Sequence, residues 1–423
     1  LQILKNFIRF HISIINITDV EEELKLFPAN KDLINLSNNY NFFDFIIVGS
    51  GPGGAVAALE LKSAGFNTCI IENGNLIKQN TFQPFSYNEM VNQYKHSGIT
   101  ATLGNTNIAY VEGNTFGGGS EINSGLYHRT PKYILDHWEK KFNLENSNIR
   151  HLEEHFESIE KDLHISFFPP NHLPMASMKL MEGAKKLNWE ANEIPRWFKY
   201  RSLDSIDGIK MTMSETYLKK YLEKNGTVLE NIQVNRLVKH RKGWKTCSGK
   251  NSFFSKNVIL SAGTIGTPLI LKNSKIMTKA QTHFQMHPTI KVVALFNEKV
   301  NTLGMGVPVH QVKEFSKKFS FGCSISSKPY LKVALSDYSN YSDMVEKKWE
   351  NMAIYYVAII PEGYGTITKI PVFDDPVIRY NLTITDKINI ADGLKKLCKL
   401  LLVAGASKLY PNISNQNIIK IEE

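Results

Sequence analysis

The strongest constraint on this chain is a short glycine run, Gly49-Ser50-Gly51-Pro52-Gly53-Gly54, set between an apolar stretch at residues 43–48 (FDFIIV) and a helix-like stretch at residues 55–64. A near-continuous apolar run that ends in glycines reads as a parallel strand buried on both faces. Residues 68–72 read as a second strand ending in a carboxylate, which completes a βαβ unit. Each glycine has its own task at this spacing. Gly49 permits the tight turn, Gly51 lets the backbone approach a pyrophosphate, and Gly54 lets the helix pack against the strand. The helix N-terminus then presents unpaired N–H groups and partial positive charge to the phosphates. Glu72, with Asn73 beside it, lies 18 residues past Gly54, where a carboxylate accepts hydrogen bonds from a ribose diol and repels a 2′-phosphate. The unit implies a dinucleotide site that fits FAD and NAD alike.

The rest of the chain supplies the body around that unit. At 423 residues, 42% hydrophobic and 21% charged, it has an ordinary globular balance, which excludes disorder and coiled coil. The charge of +10 is spread; its densest run, Lys239-His240-Arg241-Lys242, sits in one polar connection and does not read as a nucleic-acid surface. The four cysteines fall in no CxxC or zinc spacing, so no metal site is expected. No apolar run reaches the roughly 18 residues of a membrane span. The basic, apolar start of the chain lacks a cleavage site, and a cytoplasmic location is expected.

Residues 1–41 read as a polar lead-in with short helical stretches. Residues 131–142, 151–162 and 212–223 read as amphipathic helices, with Trp138 and Phe156 on their apolar faces. Residues 227–238 and 256–260 are strand-like, and a helix starts at Gly266. Residues 285–375 carry many short β-rich stretches that suggest a second, largely antiparallel sheet, and residues 385–406 read as one long helix with Ile388, Ile390, Leu394, Leu397, Leu401 and Ala404 on its apolar side. The expected architecture is α/β: a Rossmann-like dinucleotide-binding domain over residues 42–284, which becomes the FAD-binding domain, and over residues 285–423 a partial substrate-binding domain with an antiparallel sheet, by the family resemblance that the next two segments carry.

Two further segments separate FAD from NAD. The first runs from Gly113 to Gly125 and contains Gly117-Gly118-Gly119-Ser120-Glu121-Ile122-Asn123-Ser124-Gly125. Its consecutive glycines and small polar residues make a backbone that can press against a flat ring. This stretch resembles the first signature of the glucose–methanol–choline (GMC) oxidoreductases. By that resemblance Gly117, Gly118, Gly119, Ser120, Asn123, Ser124 and Gly125 contact FAD. The second segment, residues 258–268 with Ala262 and Gly263, is similar to the family's second signature beside the adenosine half of the cofactor. Val234 matches the strand that passes the adenine, and His287-Pro288 matches the entry to the substrate domain.

The resemblance implies oxidation of a CH–OH group of a small-molecule alcohol, with hydride transfer to flavin N5. The family's last segment, which carries the catalytic histidine, is not seen in residues 1–423, whose last histidine is His310. The chain is therefore expected to be truncated or one part of a split enzyme, with a complementing C-terminal chain as a partner, and no catalytic residue is assigned. His128 and His287 are weighed as substitutes and read as structural. Some relatives bond FAD through a histidine directly before the signature asparagine; here that position is Ile122, so FAD is expected to be non-covalent. A non-catalytic flavin-binding subunit and, less favoured, an NAD-dependent dehydrogenase stand as alternatives. A disulfide reductase would need a second nucleotide motif, which Gly304-Met305-Gly306 does not supply. The sequence names neither the alcohol nor the electron acceptor, be it oxygen, a quinone or a carrier protein.

Overall fold

A computed structural model of the chain describes residues 42–78, 81–142, 149–276, 283–370, 375–413 and 418–420. The expected lead-in at residues 1–41 lies outside these, and the described residues from Phe43 onward form one compact unit.

The first layer is a six-stranded sheet. Strands β1 (Phe42–Val48), β2 (Thr68–Ile71) and β3 (Thr227–Leu229) run parallel, while β4 (Arg236–His240), β5 (Gly243–Ser248) and β6 (Asn251–Leu260) are joined antiparallel. The spatial order is β4-β5-β6-β1-β2-β3. The apolar run of β1 is explained by burial on both faces. Ile47 and Ile70 pack on one side with Ala55, Ala58 and Leu59 of helix α1 (Pro52–Ser63); Ile46, Val48, Cys69 and Ile71 pack on the other with Ile270 of helix α2 (Gly263–Asn273). Ile46, Ile47 and Ile70 are fully buried, each worth about 1.5–3 kcal/mol.

The second layer is a seven-stranded sheet in which every pair is antiparallel. It is built from β7 (Thr289–Phe296), β8 (His310–Val312), β9 (Phe319–Ser324), β10 (Met352–Ile359) and β11 (Ala406–Pro411). The order is Ile419–Lys420, β11, β7, β10, β9, β8 and finally Ala191–Glu193. The chain enters this sheet at Thr289, yet the edge strand Ala191–Glu193 and the covering helix Met175–Lys186 come from far upstream. Helix α3 (Ile384–Val403) packs Leu397 and Leu401 on the same face. Its first turn is closed by a capping box between Thr383 and Asp386.

Several elements depart from the expected pattern. Helix α1 starts inside the glycine run, with Pro52 in its first turn, because proline's fixed φ suits that position. The strand-like residues 227–238 split into β3 and β4, with Val234 buried between them. Only Tyr217–Glu223 of the third amphipathic stretch is helical. Helix Lys132–Phe142 buries Leu135 and leaves Trp138 40% exposed, the reverse of the face expected for that tryptophan. Ile388 is 61% exposed on α3. That helix also stops early: Gly405, at φ +95°, turns the chain, and Ala406 begins β11. The basic run caps the β4–β5 hairpin, its residues exposed, with the Lys239 ammonium 4.5 Å from the Trp244 ring centre. All four cysteines are free and buried. Among the described residues no helix is long and apolar enough to cross a membrane.

Candidate functional site

The glycine run sits where β1 ends and α1 begins, at the carboxyl edge of the parallel strands. A Cβ on Gly49, whose φ is +96°, would lie 2.4 Å from the Ser261 carbonyl oxygen, and one on Gly54 would lie 1.9 Å from the Gly49 oxygen. These two glycines are demanded by the protein's own packing. Gly51 is different. A Cβ there would meet nothing within 4 Å, so the space above it is open. No side chain caps the N-terminus of α1 and its first turn holds no acid, which leaves its N–H groups aimed into that space.

Ser50 is fully buried and links three segments. Its N–H and its hydroxyl both donate to Glu72 Oε2, at 2.8 and 2.7 Å. The same hydroxyl accepts from the Gly117 N–H at 2.9 Å. Glu72 Oε1 accepts from Gly74 N–H at 2.8 Å. Glu72, 7% exposed, therefore already holds the turn after β2 in place, besides facing the site.

The glycine-rich segment forms a wall against this loop. Gly117 and Gly118 have positive φ, and a Cβ on Gly118 would lie 3.0 Å from the Gly51 Cα, so the two glycine runs are in direct backbone contact. Gly119–Ile122 makes a single helical turn. Ser120 donates to the Gly117 carbonyl and accepts from Met213 N–H, while Asn123 Oδ1 accepts from Gly125 N–H at 2.9 Å. Asn73 donates to Asn114 Oδ1 at 2.6 Å and so ties the start of the segment to the end of β2.

Distant residues brace the far end of the wall. Lys210 donates to the carbonyl oxygens of Glu121 and Asn123, and Arg196 donates to the Ser124 carbonyl at 3.3–3.4 Å. The Glu121 carboxylate accepts from the N–H and hydroxyl of Ser214. Burial raises the Glu121 carboxyl, and burial lowers the Lys210 ammonium against the opposing pull of Glu121 and Glu89. Sequence reading missed these groups. Glu121 lies inside the signature among residues that contact through their backbone, so nothing local marks its side chain; Lys210 and Arg196 are remote in sequence and carry no local signal.

The second signature closes the other side. Ser261 N–H donates to the Val48 carbonyl at 2.8 Å, and the Ala262 Cα lies 3.1 Å from where a Gly49 Cβ would be. Ala262 precedes α2, and Gly263 has φ +75° with open space beside it. Val234 packs in the cluster of Val48, Ile71 and Ile270, with Ala262 against it. The fold thus gathers Gly49 through Gly54, Glu72, Asn73, Val234, Ala262, Gly263 and the Gly117–Gly118 end of the wall around the carboxyl ends of β1, β2 and β6. Asn123, Ser124 and Gly125 stand farther along the wall, beside Arg196, Trp197 and Lys210.

The histidines divide. His310 is buried against Ser177, its Nδ1 2.8 Å from that hydroxyl, a structural placement. His128 and His287 are both within electrostatic reach of Lys313, though they come from different segments. Desolvation by surrounding protein, followed by the Lys313 charge, pulls His128 down to about 4 and lowers His287, although both residues are exposed and solvent screens these shifts.

A cavity of about 530 Å³ opens against the wall at Glu121 and Asn123 and reaches residues 302–307, which include Gly304 and Gly306. A shallower depression of about 770 Å³ along α3, at Ile390, Leu394 and Leu402, holds no residue of either signature.

A model of the GMC oxidoreductase family matches residues 43–290. The uncharacterized GMC-type oxidoreductase y4nJ of Sinorhizobium fredii is 28% identical over 390 residues, covering 88% of this chain and 76% of that protein. A long-chain-alcohol oxidase of Arabidopsis thaliana is 25% identical over 401 residues, covering 86% of this chain, and the chain spans only 54% of its length. Among solved structures, a pyridoxine 4-oxidase of Mesorbium loti superposes with TM-score 0.63 at 13% identity, over 85% of this chain and 80% of that one. A formate oxidase variant of Aspergillus oryzae made to probe FAD modification gives TM-score 0.64 at 15% identity, over 87% and 82%. These two likenesses are likenesses of fold.

Proposed function

The chain belongs to the GMC oxidoreductase family, and on that premise we propose that it serves oxidation of a CH–OH group of an alcohol donor with a dissociable FAD. The observation that carries the reading is the backbone contact between Gly51 and Gly118, which sets a phosphate-type loop and a ring-type wall edge to edge. The donor set fits the cofactor. The uncapped N-terminus of α1 and the open side of Gly51 suit a pyrophosphate, and the Glu72 carboxylate suits ribose hydroxyls. Asn73, Val234, Ala262 and Gly263 would line the adenosine half; Gly117, Gly119, Ser120, Asn123, Ser124 and Gly125 would line the ring.

When bound, FAD supplies the acceptor for a hydride leaving the alcohol carbon. The chain's residues bind and orient, and Lys210 and Arg196 hold the wall by its carbonyl groups. We assign no base. His128 and His287 are kept uncharged near neutrality, and an uncharged imidazole accepts protons. Ile122, 7% exposed, offers only hydrocarbon, so no bond to the flavin forms there. The reading of residues 42–284 as cofactor-binding and 285–423 as substrate-facing belongs to the same proposal, as do the relatives' alcohols as a guide to substrate class.

Anaerobic titration tests the reading. The purified chain, loaded with FAD, should show visible flavin absorbance, and bleaching of it by a primary or secondary alcohol would show that residues 1–423 carry the oxidation themselves. Flavin binding without bleaching would favour a non-catalytic flavin-binding role, and failure to retain FAD would overturn the proposal.

A further inference from the structure

The cavity beside the wall contains a buried cation that the cofactor reading provides with no charged partner. Arg196 lines it and is 6% exposed, an uncommon burial for a guanidinium without an acid. Its partners among the described residues are uncharged: the Ser124 carbonyl at 3.3 and 3.4 Å, the Tyr200 hydroxyl at 3.3 Å, and the Phe198 ring at 4.7 Å. Burial lowers its pKa, and the group raising it is Tyr200; no carboxylate among the described residues forms an ion pair with it.

The other charges that face the cavity are already balanced or muted. Lys210 opposes Glu121 and Glu89, and burial holds both of those acids above the usual carboxylate range. Lys328 pairs with Glu346 at 2.6 Å. Lys78 adds a cation and Asp207 an acid at the lining. Arg196 is thus a deeply buried cation of this lining that makes no ion pair among the described residues. The same lining also offers apolar surface: Phe168 and Val307 are buried, Phe85, Phe198 and Met305 are half-buried, and Leu303, 89% exposed, stands on the same loop as Met305.

We propose that this cavity receives an amphiphilic alcohol that also bears a carboxylate, the carboxylate paired with Arg196 and the apolar body set against Phe168 and Phe198. The inference rests on the alcohol-oxidising reading of the site and specifies the substrate class for it. A planar guanidinium offers parallel N–H donors that match a carboxylate, and in a buried setting the pair is much stronger than a neutral contact.

Decanoate and decanol, which differ in the head group alone, are the probes. Their affinities are measured by calorimetry on the full chain, with and without FAD. Decanoate should bind at least about tenfold more tightly than decanol, the gain expected of one buried charge-assisted contact. Arg196→Met should erase most of that preference, read as the ratio of the two affinities in the same variant, and Arg196→Lys should restore part of it. Equal affinities for the two probes in the unaltered chain overturn the proposal whatever the variants do. Retention of FAD in the same sample is read separately, so loss of the cofactor counts against the proposed function and loss of the decanoate preference counts against this inference.

Discussion

Ser50 gives Glu72 two hydrogen bonds on one oxygen, from its N–H at 2.8 Å and from its hydroxyl at 2.7 Å, across the turn between β1 and α1. The carboxylate that suits a ribose is thus also a structural acceptor for the loop that suits a pyrophosphate, and Gly74 uses its other oxygen. Replacing Glu72 by Ala leaves buried donors unpaired before any cofactor is considered. Glu72→Ala should cost about 1–3 kcal/mol of stability as well as FAD affinity. Urea unfolding of the cofactor-free protein checks this; an unchanged midpoint would show that the Ser50 bonds carry no weight.

Gly51 and Gly54 should behave oppositely. Gly54→Ala drives a methyl group into the Gly49 carbonyl and should cost about 1–3 kcal/mol or block folding. Gly51 has an ordinary φ of −61° and open space beside it, so Gly51→Ala should change stability by less than about 0.5 kcal/mol. On the proposed reading the same methyl group would stand where the pyrophosphate approaches the protein backbone, so FAD retention should fall. Thermal unfolding and equilibrium dialysis on the pair separate the two effects.

Asp386 is fully buried at the start of α3 and accepts from the N–H groups of Thr383, Glu362 and Gly363. Burial opposes its charge, but these bonds outweigh burial and hold the carboxyl below its usual range. A carboxyl lowered on folding stabilises the fold above its unfolded pKa, and that contribution is lost as pH falls through the folded value. Asp386→Ala should cost about 1–3 kcal/mol at neutral pH and flatten the acid limb of the stability profile below about pH 4. A parallel acid limb in parent and variant would contradict the assignment.

His128 titrates in the opposite direction of charge but with the same sign for stability. Its folded pKa, about 4, lies below the ordinary histidine value, so the unfolded chain binds the proton more tightly. Stability should be undiminished above about pH 6.5 and should decline as pH falls toward 4. His128→Gln should make that decline shallower, as read from unfolding midpoints between those limits.

Ile122 supplies the last test. With no nucleophilic atom at that position, acid precipitation of the FAD-loaded chain should release all of the yellow colour into the supernatant. Colour held in the washed pellet would place a covalent link elsewhere.

The strand–glycine–helix unit, the carboxylate at the end of β2 and the glycine wall were legible in the chain itself. Each depends on neighbours within a few positions: a two-sided strand needs an apolar run, a turn at φ +96° needs glycine, and a helix packed onto a strand end needs a residue without a side chain. Other features have no local cause. Ser50 reaches Gly117 across 67 positions, Lys210 reaches Asn123 across 87, and Arg196 reaches Ser124 across 72. Such bonds follow from where whole elements pack, so no spacing in the sequence announces them. The strand Ala191–Glu193, carried to the edge of a sheet otherwise built after residue 289, is of the same kind, as is β11, which sequence periodicity joins to the tail of α3. Local chemistry decided the strand–glycine–helix unit and the carboxylate beside it; long-range packing alone decided which charges face the neighbouring cavity, because only the folded chain brings Arg196 to a lining that also carries Glu89, Glu121 and Asp207 and yet partners it with uncharged groups.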